Sequence, residues 1–310
     1  MIQHNWTTEA RRALLGLRGK ETAWGYRDGA APAPEPTALA ALALLATGSD
    51  TQPSRLAADW LARSQRDDGS LGISGDKSAV ASPGWMTPYA MLVWALFPAH
   101  AAALRRGSHW LLGIKGRTLD PKEDPARIAG HNTMLVGWPW VGDTHSWLEP
   151  TAIAVLALGR DGFGTHPRVL EGLRLIRDRA IDSGGWNYGN KAVFGRSLRA
   201  QPAPTGLALL ALDGIDPRTP LISKAVDYLT KSLPGVRACA SLGWGVIGLR
   251  ARGVPLESAD AWLAESFEAV RGKPDAAPKL ALLLLAAGDS TLGLFGRSAN
   301  TTQDPSQGTR

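Results

Sequence analysis

The chain has 310 residues, 44% of them hydrophobic, enough to bury one large core near the length at which domains begin to split. A formal charge of +6 suits an anionic partner, but the basic residues are dispersed and form no run that reads as a nucleic-acid arm. One cysteine, Cys239, excludes an internal disulfide and a multi-cysteine metal site; no apolar run approaches the ~20 residues of a membrane span.

Two kinds of segment alternate along the chain. Ala10, Leu14 and Leu17 mark a first amphipathic face, and Thr37 to Ala46 then runs apolar on every side. Leu56, Trp60 and Leu61 precede the apolar Tyr89 to Phe97; Ala103, Gly107, Trp110, Leu111 and Ile114 precede Thr151 to Leu158. Leu170, Leu173 and Ile176 come before Thr205 to Leu212, and Leu221, Ala225, Tyr228 and Leu229 before Ser241 to Leu249. Ala259, Trp262, Leu263, Ser266, Phe267 and Val270 lead into Lys279 to Ala287. The amphipathic spacing is helical, and a helix apolar all round must be enclosed by others. Six hairpins with their apolar members inward therefore predict an all-α ring of inner and outer helices, an α/α toroid, spanning residues 1–297 as one domain. Residues 298–310 are polar and rich in breakers, and are expected to form a disordered tail. No strand periodicity persists beyond a few residues.

The turns carry a recognisable pattern. Trp60-Leu61-Ala62-Arg63-Ser64-Gln65-Arg66-Asp67-Asp68-Gly69-Ser70-Leu71 resembles the repeat motif of squalene and terpenoid cyclases, with Leu71 where that motif ends in Trp. Partial copies stand at Gly185-Trp186-Asn187-Tyr188-Gly189 and Trp24-Gly25-Tyr26. The helix starts Glu35-Pro36-Thr37-Ala38, Glu149-Pro150-Thr151-Ala152 and Ala203-Pro204-Thr205-Gly206 are similar to the same superfamily, which also includes the protein prenyltransferases. The resemblance covers nearly the whole chain and implies the toroid.

It also implies a place for chemistry. Protonation-initiated cyclases carry Asp-x-Asp-Asp-Thr-Ala at the start of an inner helix; here the matching residues are Trp147, Leu148, Glu149, Pro150, Thr151 and Ala152. The resemblance makes Glu149 the candidate acid, with both flanking acids replaced. The zinc ligands of the prenyltransferases, an Asp, a Cys and a His in that order, are not matched, because no His follows His166; no metal and no cofactor are expected.

Asp143 and His145 are candidate proton-relay groups for Glu149. Trp138, Trp140, Trp147, Trp186, Tyr188, Trp24, Tyr26 and Trp244, with Glu35, are candidate walls of a central hydrophobic cavity for an isoprenoid or lipid. The plainer reading of many of these residues is structural: capping for Glu35 and Glu149, packing between hairpins for the indoles. Lys191, Arg196 and Arg199 are candidate anion-binding residues, and residues 117–127 a candidate lid or solvated loop. The alternatives to a cyclase are a non-catalytic toroid that binds lipid or docks a protein, and a carbohydrate-active enzyme using Glu35 and Glu149 as a carboxylate pair. No secretory signal is evident, so a cytoplasmic protein with at most peripheral membrane contact is the expectation.

Overall fold

The computed structural model describes residues 6–48, 50–77, 84–120, 122 and 129–296; the tail and most of the candidate lid lie outside the described residues. Within them stand thirteen α-helices: α1 (Trp6–Gly16), α2 (Pro34–Thr47), α3 (Gln52–Ser64), α4 (Met86–Trp94), α5 (Ala101–Gly113), α6 (Leu148–Arg160), α7 (Pro167–Asp178), α8 (Pro202–Ala211), α9 (Pro220–Ser232), α10 (Cys239–Arg250), α11 (Ala259–Val270), α12 (Ala276–Ala287) and α13 (Thr291–Phe295). The even-numbered helices α2 to α12 are the six apolar segments. Several begin about a turn before the apolar run because proline opens them, its fixed φ suiting a position where a missing N–H costs nothing.

Each inner helix packs against the next, α2 on α4, α4 on α6, α6 on α8, α8 on α10 and α10 on α12, and α12 returns to α2. That last contact closes the ring and rules out an open solenoid. The odd-numbered helices α1 to α11 form the outer layer. The seam is reinforced by α1, which packs on α12 and touches α2. Where α8 meets α10 the backbones nearly touch: a Cβ on Gly206 would lie 2.0 Å from the Trp244 carbonyl oxygen, and one on Gly248 2.5 Å from the Gly206 Cα. Only glycine permits that approach. The one strand pair among the described residues is a hairpin of β1 (Ala192–Val193) and β2 (Arg196–Ser197). Its turn places Phe194 and Gly195 at φ 51° and 72°, the left-handed geometry of a two-residue hairpin loop, too short to leave a period-two signal.

A repeated staple joins the layers. The backbone N–H groups of Trp24, Leu71, Trp138 and Trp186 donate to the hydroxyls of Thr37, Thr87, Thr151 and Thr205, at 2.9–3.0 Å. Each threonine sits in the first turn of an inner helix and is fully buried. The three indoles then donate to carbonyls in the last turn of an outer helix: Trp24 to Leu14 at 2.7 Å, Trp138 to Leu111 at 2.8 Å and Trp186 to Ile176 at 2.6 Å. Helix ends leave such carbonyls short of partners, so these bonds serve a structural need. In the remaining turn, Gln65 Nε2 donates to the carbonyls of Gly69 and Ala103, both at 2.9 Å, tying α3's exit to α5.

The staple corrects part of the expected cavity wall. Trp24, Trp138 and Trp186 have no accessible surface and hold hairpins together instead of facing a ligand. Trp244 is also buried, edge-on to Phe295 of α13 with ring centroids 5.9 Å apart. Helix α13 covers the end of the ring formed by the C-termini of the inner helices, contacting α2, α6 and α10. The middle turns are packed: Ala40 to Leu44, Ala152 to Ala154, Leu207 to Leu209 and Leu283 to Leu285 have no accessible surface. The expected deep central cavity is therefore replaced at mid-height by side chains, leaving the inner-helix N-termini as the open face.

Candidate functional site

Glu35 and Glu149 are each the second residue of an inner helix, two positions before a staple threonine. Extended backbone at Ala33 and Trp147 turns the chain sharply into each helix. Both carboxyls are half-buried at the same end of the ring, on α2 and α6, with α4 between them.

Their surroundings differ. Glu35 Oε2 accepts from the Tyr26 hydroxyl at 2.5 Å and from Trp85 Nε1 at 2.9 Å. Glu149 takes no hydrogen bond from the described residues; burial, and then the negative charge of Glu35, raise its carboxyl to about 7. The positive end of the helix dipole favours the anion, so desolvation and Glu35 here outweigh it. One carboxyl is thus a hydrogen-bonded acceptor and its neighbour a proton carrier near neutral pH, a division of roles set by environment alone.

Aromatic rings surround the pair. Trp85 meets Trp140 edge to face, centroids 4.8 Å apart and planes at 78°. The Gly84 N–H donates to the Trp140 carbonyl at 2.7 Å, holding that loop against the start of α4. Leu148 N–H donates to the Tyr188 carbonyl at 2.9 Å, and the Trp147 ring lies over Gly189, where a Cβ would approach it to 2.7 Å. Tyr26, Trp147 and Tyr188 keep 40%, 37% and 42% of their surface, so the mouth is open and largely aromatic. Tyr89 is buried; its hydroxyl is pushed well above the usual phenol range by burial, then by Glu149, Glu35 and Tyr26. Tyr188 is raised by burial and then by Glu149, which keeps both phenols as O–H groups.

The structure therefore brings Glu149, Glu35, Tyr26, Trp140, Trp147 and Tyr188 together and leaves other candidates apart. Asp143 is exposed at φ 60° in a turn, and His145 is exposed with Nδ1 3.4 Å from the Arg117 carbonyl; no hydrogen bond joins either to Glu149. Lys191 pairs with Asp182 at 3.6 Å, Arg196 projects from β2, and Arg199 lines a cleft of about 390 Å³ with Trp147, Tyr188 and Leu198. Neither Lys191 nor Arg196 lines that cleft. Trp85 and Tyr89 were not legible as site residues, although a signal existed: counting back two from each staple threonine gives Glu35, Trp85, Glu149 and Ala203, which puts Trp85 in the slot of the two acids. Among the described residues no group of three or more His, Cys, Asp or Glu side chains is placed to hold a metal, and no helix is long and apolar enough to cross a membrane.

No family model matches the chain, and no curated protein matches it. Solved structures do resemble it. The type II terpene cyclase MstE from Scytonema superposes with a TM-score of 0.57 at 18% identity, covering 86% of this chain and 80% of the cyclase. A variant of that cyclase in complex with merosterolic acid A, its product, gives 0.59 at 16% identity over 94% of this chain and 98% of the other. Endoglucanase Cel10, a family 8 glycosyl hydrolase from Klebsiella pneumoniae, gives 0.55 at 12% identity over 90% and 98%. At these identities the likeness is one of fold: the chain is an α/α toroid, similar in architecture to the terpene cyclase and to the glycosyl hydrolase.

Proposed function

We propose that the aromatic mouth takes an isoprenoid or another hydrophobic small molecule and that Glu149 protonates it, initiating cyclisation. The observation that carries this reading is the contrast between the two carboxyls: Glu35 receives two donors, while Glu149 receives none from the described residues and is raised to about 7. A carboxylic acid at that value is about half protonated at neutral pH, which a solvated Glu is not. The proton passes from the Glu149 carboxyl to one alkene carbon, the positive charge stands on the adjoining carbon, and a second alkene of the same chain attacks it. Loss of a proton from the final cation restores an alkene, so the reaction is an isomerisation with no atoms gained or lost. Each ring facing the cation contributes about 0.5–2 kcal/mol. Tyr26, Trp85, Trp140, Trp147 and Tyr188 would supply those rings. The similar cyclase has been crystallised with geranylgeranyl dihydroxybenzoate as substrate, a ligand of the class proposed.

The test is turnover of squalene and of geranylgeranyl-bearing aromatic acids, followed by gas chromatography with mass detection. Glu149→Gln should reduce product by at least about 100-fold, the lower range for loss of a general acid, whereas Glu149→Asp should retain part of it. Unchanged product in Glu149→Gln removes the assigned role. A second reading is favoured by the openness of the mouth: two carboxyls beside solvent-facing Trp147 and Tyr188 also suit a glycan. Release of reducing ends from a β-glucan, abolished by the same substitution, would replace the cyclase reading. Retention of a prenyl lipid with no product from any substrate would leave a non-catalytic binding protein.

A further inference from the structure

Beside the mouth, and separate from the carboxyl pair, is a pocket of about 230 Å³ whose polar lining includes Arg179, Arg117, His131, His145, Thr133 and Asn190. Among the described residues no acidic side chain lines it. Arg179, just after α7, is 5% exposed; its Nη1 donates to the Gly189 carbonyl at 3.2 Å and to that of Ser146 at 3.4 Å, and its Nε has no partner. No ion pair among the described residues includes it. Burial lowers its guanidinium to about 10, only partly opposed by Asp178.

Two other arginines, Arg168 and Arg252, also have an unpartnered Nε. Both are otherwise committed: Arg168 to Glu171 and to the carbonyls of Ile114, Val136 and Gly137, Arg252 to those of Leu209 and Ile215, and neither lines this pocket. Arg179 alone combines deep burial, long hydrogen bonds and a face on an open pocket. A buried cation without a counter-charge is costly, and a guanidinium fork matches the oxygens of a phosphate.

We propose that this pocket binds a phosphate or diphosphate group, with Arg179 at its base, Arg117 at its rim, and Thr133 and Asn190 as further donors. Trp147 lines both this pocket and the cleft that carries Tyr188. A prenyl diphosphate would therefore set its headgroup against Arg179 and pass its chain over Trp147 toward Glu149; this extension, unlike the anion site itself, rests on the function proposed above.

Calorimetric titration of the full chain with inorganic pyrophosphate tests the site. Binding should weaken with added salt and by at least about tenfold in Arg117→Gln and in Arg179→Lys, which keeps the charge but loses the fork. Arg179→Gln should abolish it; since that change also removes bonds to two backbone carbonyls, its fold is checked by circular dichroism, and the other two variants decide if it is unfolded. Absence of binding up to about 10 mM pyrophosphate, or wild-type affinity in both Arg117→Gln and Arg179→Lys, overturns the proposal. Tighter binding of geranylgeranyl diphosphate than of pyrophosphate supports the anion site with a lipid headgroup as its source; equal affinity supports it with free phosphate or diphosphate as its source. Glu149→Gln should bind pyrophosphate as the wild type does, so a failed acid and a failed anion site give different results.

Discussion

At the scale of the residue, the same slot of a repeated turn carries different chemistry. Glu35, Trp85, Glu149 and Ala203 all stand two positions before a buried threonine, yet only Glu149 is both ionisable and without hydrogen-bonding partners among the described residues. The raised acidity constant has a consequence for stability. The folded carboxyl titrates near 7 and the unfolded one near 4.5, so between those values the native state holds the extra proton. Stability contributed by the neutral form is full below about 4.5 and is lost as pH rises to 7 and beyond. The wild type should therefore lose about 1–3 kcal/mol between pH 5 and pH 8 that Glu149→Gln does not lose; parallel melting curves across that range would refute it. Trp186 offers a contrast, because its indole N–H satisfies the Ile176 carbonyl in a site without solvent. Trp186→Phe should cost about 1–3 kcal/mol without altering ligand affinity at the mouth, measured by denaturant titration and by binding.

At the scale of the element, much of the frame was legible. Ala- and Leu-rich segments without a polar face had to be inner helices, and the amphipathic segments between them had to lie outside, because each pattern has one environment that satisfies it. The Gln and Trp turns were legible as structure as well as motif. Which rings were staples and which lay at the open mouth was not, since Trp138 and Trp140 are two residues apart, the first fully buried and the second packed on Trp85. Helix-to-helix distance was equally hidden. Gly206 reads as a weak point in an apolar helix, whereas it is where α8 and α10 come nearest. Gly206→Ala should push them apart at a cost of about 1–3 kcal/mol, lowering the melting temperature by roughly 2–10 °C; a variant as stable as the wild type would show that the ring relaxes freely.

At the scale of the molecule, closure makes the second and the twelfth helices neighbours. In an open array the terminal helices fray first, because each has a partner on one side only. In the ring α12 has α10 and α2 on either side and α1 outside it. Its backbone amides should therefore exchange with deuterium as slowly as those of α6, on the opposite side of the ring. Exchange in α12 faster by a factor of a hundred or more, about 3 kcal/mol, would mean that the seam opens on its own.

The sequence by itself determined the alternation of helices, the six inner and six outer segments and their inward and outward faces, which follow from local periodicity; it did not show the short α13 that covers one end of the ring, and it pointed to Glu149 only through the resemblance of its turn to a cyclase motif. Only the tertiary structure decided that the middle of the ring is packed, that three tryptophans are staples, that Glu35 is tied to Tyr26 and Trp85, and that Arg179 faces an open pocket with no ion pair among the described residues. Burial, desolvation and the presence of a partner depend on residues far apart in the chain, and no local pattern records which of them will meet.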